Sequence, residues 1–274
     1  MTEEMFRRLE ASLASASMVF LQGWGEPLLD PDFWERVARV RASGPRVGFT
    51  TNGMHLDRGN RRALLESGVE ILGVSLAGGT AETHDRFRAG NPLATVDDHL
   101  RELRKEKEEM GADVPKVHLA YQLLASNLSE LPRVLDLAED WGAAQVVVSN
   151  LDLVLSRELE KEALTARPDL QEEVGRRLDQ ARAMAEEQGI AFRAYRHGFG
   201  APRPACTENV LRSCFIAADG SVSPCVMLNA GVETEAPVLH RFREEYAALP
   251  TLTFGNLAED SLETIWRSRA ARGF

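Results

Sequence analysis

Two groups of residues have types and spacing suited to chemistry. The first is the run Gln22-Gly23-Trp24-Gly25-Glu26-Pro27, which follows the short apolar stretch Met18-Val19-Phe20-Leu21. Two glycines and a proline directly after a strand bring backbone close to whatever lies above the strand's carboxyl end. In parallel α/β sheets that edge is where ligands bind. A carboxylate held there, Glu26, beside free backbone carbonyls suits an ammonium group; an ordinary βα loop with a solvated acid is the plainer reading of the same residues. The second group is Cys206, Cys214 and Cys225, the three cysteines of the chain, all in its last quarter. An odd, clustered set points to metal binding or reduced thiols rather than disulfides. A structural zinc site is one form this could take.

The elements that must position these groups alternate along the chain. Met5, Leu9 and Leu13 form a helical stripe. After the strand at 18–21, Asp30 and Pro31 are placed to open a helix whose buried face is Phe33, Val37 and Val40, stopped at Gly44-Pro45. Strands are then expected over 46–51, 69–76, 116–124, 144–149 and 190–195, with helices over 61–67, 96–110, 128–141 and 170–188 between them. Strands alternating with helices of this length require a parallel sheet, either a barrel or an open doubly wound sheet. No G-x-G-x-x-G follows the first strand and no P-loop is present, so a nucleotide fold of either kind lacks its fingerprint. Gly198, Gly200, Pro202 and Pro204 break the rhythm, which places a domain boundary near residue 196 and divides the chain into 1–196 and 197–274.

Composition narrows the class. A net charge of −10, with no basic patch carrying interleaved aromatics, argues against a nucleic-acid partner. No apolar run approaches the roughly 20 residues that span a bilayer, and the amphipathic, acid-containing N-terminus is not a signal peptide. A cytoplasmic location with no membrane partner is the expectation.

Gly23-Trp24-Gly25-Glu26-Pro27 resembles the G-G-E-P segment of radical S-adenosylmethionine (SAM) enzymes, and further segments follow in that family's order. Thr50-Thr51-Asn52-Gly53 is similar to the T-N-G segment that closes the next strand. Val74-Ser75-Leu76 matches the strand whose serine meets the methionine or ribose of SAM. Thr83-His84-Asp85-x-x-Arg88 resembles E-x-H-D-x-x-R, whose arginine faces the SAM carboxylate; a guanidinium is a bidentate carboxylate binder. Gln122 and Asn150 end later strands, where the family contacts ribose and adenine. The resemblance thus implies a SAM site built from Gly23, Trp24, Gly25, Glu26, Pro27, Thr51, Asn52, Ser75, Arg88, Gln122 and Asn150.

The tail adds a second resemblance. Cys206, then Asp219-Gly220-Ser221-Val222-Ser223-Pro224-Cys225, then Phe254-Gly255-Asn256-Leu257 and Ser261-Leu262-x-x-Ile265-Trp266 is similar to a SPASM domain, with Asp219-Gly220 as a hairpin turn. Its wording is nearest to radical SAM/SPASM maturases of tungsten-cofactor oxidoreductases. The resemblance implies Cys206 and Cys225 as ligands of an auxiliary cluster; Cys214 is either a replacement ligand or a small buried hydrophobe.

The resemblance is incomplete. The family's C-x3-C-x2-C, which holds the SAM-binding 4Fe–4S cluster, has no counterpart in this sequence, nor do the later C-x2-C cysteines of SPASM tails. Four thiolates usually hold each cluster. The expected fold is therefore α/β: a partial parallel (β/α) barrel of radical SAM type, first strand missing, followed by a truncated SPASM or twitch-like hairpin and helix. The implied reaction is reductive cleavage of SAM to a 5′-deoxyadenosyl radical and hydrogen abstraction from a peptide, protein or small-molecule substrate. The chain as it stands is expected to be inactive, as a fragment or mis-started reading; the alternative is a degenerate, non-catalytic barrel serving as a binding or scaffold protein.

Overall fold

The computed structural model describes residues 1–194, 208–230, 238–242 and 244–274. Six strands, β1 (Met18–Phe20), β2 (Arg46–Thr51), β3 (Ile71–Leu76), β4 (Lys116–Gln122), β5 (Gln145–Ser149) and β6 (Ala191–Ala194), form one parallel sheet in strictly sequential order. A doubly wound sheet reverses its strand order part-way. Sequential order with crossovers of one hand instead puts every helix on the same face, so the sheet curls as a partial barrel.

Burial along the strands records this one-sided cover. Side chains alternate between faces with period 2. Val47, Phe49, Leu72, Val74, Leu119 and Val146 are all fully buried, packed under the helices, while Thr50, Ser75, His118, Gln122 and Gln145 on the other face are only half-buried. The covering helices are α1 (Glu3–Leu13), α2 (Phe33–Ala42), α3 (Arg58–Ser67), α4 (Ala81–Phe87), α5 (Leu93–Met110), α6 (Leu131–Asp140), α7 (Arg157–Glu162) and α8 (Gln171–Glu187). Each long helix contributes an apolar stripe to the same core: Val37 and Val40 from α2, Val96, Leu100 and Leu103 from α5, Val174 and Leu178 from α8. Among the described residues no helix is long and apolar enough to cross a membrane.

Some boundaries differ from the periodicity. Helix α2 opens at Phe33 rather than Pro31, because Pro27–Leu29 forms a separate 3-10 turn and Asp30 closes it. The Asp30 carboxylate accepts from Asp32 N at 3.1 Å, an Asx turn instead of a helix cap. Helix α5 starts three residues before Val96, with Pro92 at its N-cap, and residue 195, the expected end of the last strand of the sheet, lies outside the described residues.

Smaller elements follow the sheet. β7 (Phe215–Ile216) and β8 (Ser221–Ser223) form a hairpin that β11 (Gly255–Asn256) extends on the far side of β8, and β9 (Leu239–Phe242) pairs antiparallel with β10 (Glu245–Ala248). The β7–β8 turn is Asp219-Gly220, with Gly220 at φ +85° and Asp219 Oδ1 accepting from Ser221 N at 2.9 Å. α9 (Leu262–Trp266) and α10 (Arg269–Gly273) end the chain. Among the described residues, several hydrogen bonds and an ion pair tie this appendage to the barrel. Arg8 donates to Ala258 O at 2.7 Å, the Trp24 indole donates to Asn229 O at 2.8 Å, and Arg241 ion-pairs with Glu160 where both are largely buried.

Candidate functional site

The carboxyl ends of the strands carry the polar residues, and the β1–α2 loop lies over them. Gly23, Trp24 and Gly25 are exposed in that loop, and Glu26 and Pro27 are half-buried where it turns into the 3-10 segment. Glu26 is held from two sides. The Thr51 hydroxyl, at the end of β2, donates to Glu26 Oε1 at 2.7 Å, and Asn52 N donates to Oε2 at 2.8 Å. Leu28 N adds a longer bond at 3.3 Å from its own loop. Both oxygens are thus oriented before any ligand arrives.

Arg88 follows α4 directly. Burial holds its guanidinium below the usual arginine range, and the charge of Glu26 acts in the opposite direction. Among the described residues its side chain makes no ion pair and no hydrogen bond. The same edge of the sheet thus carries an oriented carboxylate and a partly desolvated guanidinium, groups able to bind a cation and an anion respectively.

Neighbouring residues fix the loops that bear these two groups. The Asn91 side chain, buried, donates to Asn52 O at 2.9 Å. Glu130 accepts from Gly79 N at 2.7 Å and from the Thr83 hydroxyl at 2.5 Å, anchoring the start of α4. Buried Asn127 donates to both Ala77 O and Gln122 O at 2.9 Å, which joins the ends of β3 and β4. Backbone room matters as well: a Cβ on Gly78 would meet His84 N at 2.4 Å. Sequence reasoning missed Asn91, Asn127 and Glu130. Asn91-Pro92 is a turn signal, but nothing local announces which carbonyls an asparagine side chain will reach.

The remaining residues expected at the site lie on the same edge without touching Glu26. Ser75 stands on the open face of β3, one residue from its end, and Gln122 ends β4 beside Ser149. Asn150 follows β5, and its Oδ1 is buried with no hydrogen-bond partner among the described residues. An orphaned buried acceptor has a desolvation cost unless something donates to it, so this edge fits a ligand with an N–H or O–H group.

The cysteines are placed differently. Cys214 and Cys225 stand at the open end of the β7–β8 hairpin; Cys206 lies outside the described residues. A Cβ on Gly23 would lie 3.7 Å from the ring of Phe215, so this end of the hairpin abuts the β1–α2 loop. Burial pushes the Cys214 thiol up to about 11, which opposes the thiolate form that ligates metals. Among the described residues no group of three His, Cys, Asp or Glu side chains could hold a metal ion. With three cysteines in the sequence, the residues present do not fit a 4Fe–4S cluster held by four thiolates.

A one-sided sequential parallel sheet with a polar carboxyl edge defines a partial (β/α) barrel with a ligand site at its mouth. Residues 1–152 match the family model described as the radical SAM superfamily, more than half of the chain, and residues 206–274 match that of SPASM, an iron–sulfur cluster-binding domain. The chain belongs to the radical SAM superfamily. It is similar to a tungsten-containing aldehyde ferredoxin oxidoreductase cofactor-modifying protein of Pyrococcus furiosus, 25% identical over 256 residues covering 92% of this chain and 67% of that protein. An AdoMet-dependent heme synthase of Methanosarcina barkeri is 27% identical over 97% of this chain and 73% of its own. Among solved structures, that of anSMEcpe with bound AdoMet and a Kp18Cys peptide superposes with TM-score 0.68 at 15% identity, over the whole of this chain and 74% of that one, a likeness of fold. The chain spans between 29% and 73% of the length of the curated relatives it matches.

Proposed function

We propose that residues 1–196 form a SAM-binding partial barrel and residues 197–274 a SPASM-like appendage, working on a peptide or small-molecule substrate. The observation that carries this reading is the pairing of a pre-oriented carboxylate, Glu26, with a desolvated, unbonded guanidinium, Arg88, at the mouth. Glu26 and nearby carbonyls take the ammonium of SAM and Arg88 its carboxylate. Asn150, with its unsatisfied Oδ1, accepts from the adenosine end, with Ser75 and Gln122 beside it. When bound, SAM supplies a sulfonium whose one-electron cleavage yields a radical able to abstract hydrogen. These 274 residues hold no set of thiolates for the electron-donating cluster, so no cleavage step is assigned to them, and SAM is held by its polar ends alone. The free thiols and the need for SAM suit a cytoplasmic location.

The matching relatives support the reading by family, and the solved SAM complexes support it by fold. A second reading, a binding protein that performs no chemistry, is favoured by the missing ligand set. Titrating the chain with SAM by ligand-observed NMR tests the first part. The expected dissociation constant is about 0.5 mM, weak for want of iron chelation; no saturable binding up to 10 mM contradicts the proposal. Iron content and absorption near 400 nm after anaerobic reconstitution separate the two readings.

A further inference from the structure

The open face of the sheet carries a feature that the SAM edge does not use. In-register neighbours on parallel strands face the same way. Following the pairing across the sheet, Thr50, Gly73, His118, Gln145 and Ala191 make one row on that face, and Ser75, Ala120, Val147 and Arg193 make the next row toward the mouth. Gly73, Ala120 and Ala191 are small, so the polar side chains among them border open space.

Charge on this face is of one sign. The chain carries a net charge of −10, yet no Asp or Glu occupies an open-face position on any of the six strands. The full charges there are Arg46, Lys116 and Arg193. Arg46 is paired with Glu70 at 3.4 Å, and Lys116 is exposed at the first position of β4, the end away from the mouth. Arg193 stands in the middle row and, among the described residues, makes no ion pair. His118 is half-buried, two strands away and one row below. Burial first, and the Arg193 charge second, hold its imidazole below the usual histidine range, so His118 stays neutral at pH 7 and can still donate one N–H. Gln145, opposite His118 on β5, adds an amide.

We propose that this face binds a carboxylate of the substrate between Arg193 and His118, with Gln145 beside them. One exposed, unpaired guanidinium with neutral donors beside it matches the single charge and two oxygens of a carboxylate; a phosphate dianion is usually met by more cations or by a helix N-terminus. The proposal rests on the reading of the barrel face as the substrate chamber, and it names the chemical class that chamber takes.

The test uses the full chain and follows the His118 imidazole resonances by NMR, assigned with H118Q, during titration with glutarate, glutaramide and inorganic phosphate. Glutarate is expected to produce a saturable shift and glutaramide none. R193Q should weaken the glutarate response at least tenfold, R193K should retain part of it, and R193Q should bind SAM as the unmodified chain does, which shows the variant is folded. An equal response to glutaramide, an unchanged glutarate response in R193Q, or tighter binding of phosphate than of glutarate overturns the proposal. A glutarate response that persists where SAM does not bind supports this site while refuting the SAM site.

Discussion

Replacing Glu26 by Gln removes one charge and little volume, so its effects can be worked from the bonds Glu26 makes. The carboxylate accepts on Oε1 from the Thr51 hydroxyl at 2.7 Å and, at the longer 3.3 Å, from Leu28 N, and on Oε2 from Asn52 N at 2.8 Å. Hydrogen bonds to a charged group contribute about 1.5–3 kcal/mol each. The amide keeps one acceptor oxygen and turns the other position into a donor, which faces either a hydroxyl that can rotate or an N–H that cannot. The net loss is expected to be about 1–2 kcal/mol, lowering Tm by roughly 3–6 °C. Loss of the negative charge should separately weaken SAM at least tenfold, about 1.4 kcal/mol. Thr51→Ala is the informative companion: it leaves the charge, removes one bond to Glu26 and takes away the acceptor of Gly53 N at 3.1 Å, so SAM should weaken by about threefold alongside a separate loss of stability. Thermal unfolding and ligand-observed NMR on the same samples read both effects. SAM binding to E26Q with unchanged affinity would refute the reasoning, whatever the change in Tm.

Three further outcomes are expected. Gly78→Ala should destabilise the chain by about 2–3 kcal/mol, because the added Cβ meets the backbone of His84 at 2.4 Å; denaturant unfolding with an unchanged midpoint would contradict this. His84 is fully buried, and burial lowers its imidazole from 6.5 to about 4. Between those values the unfolded chain binds the extra proton, so stability is intact above pH 6.5 and falls toward pH 4 by at most about 1.4 kcal/mol per pH unit; a His84→Gln variant with an equally steep profile would exclude His84 as a source. Cys214, pushed up to about 11, should be alkylated by iodoacetamide at pH 8 about a hundredfold more slowly than a free thiol, and peptide mapping that shows native Cys214 modified at the free-thiol rate would contradict the burial argument.

Much of the barrel was legible in the sequence because its signals are local. Runs such as RVGFTT and VEILGVSL and the glycines Gly44, Gly68, Gly142 and Gly189 read directly as strands and helix stops, and the ordered G-W-G-E-P, T-T-N-G and T-H-D-R-F-R segments pointed to one family. Periodicity alone does not separate a barrel from a doubly wound sheet, because it does not record strand order; the ordered family segments pointed to the partial barrel, and the sequential sheet agrees. The supporting bonds were hidden for a related reason. Trp24 reaches Asn229 across 205 positions, and Glu130 caps a helix 47 to 51 positions upstream. The late start of α2 was missed because Asp30-Pro31 carries both a helix-opening and a turn signal, and the preceding 3-10 turn decides between them.

In the proposed site Arg88 meets the carboxylate of SAM while Glu26 meets its ammonium. The most direct measurement is the affinity of SAM and of decarboxylated SAM for the unmodified chain and for Arg88→Gln. If the guanidinium holds the carboxylate, the unmodified chain should bind SAM about tenfold more tightly than decarboxylated SAM, about 1.4 kcal/mol. Arg88→Gln should bring the two ligands to nearly equal affinity. A variant that weakens both ligands alike and still prefers SAM by the same factor would contradict the central claim.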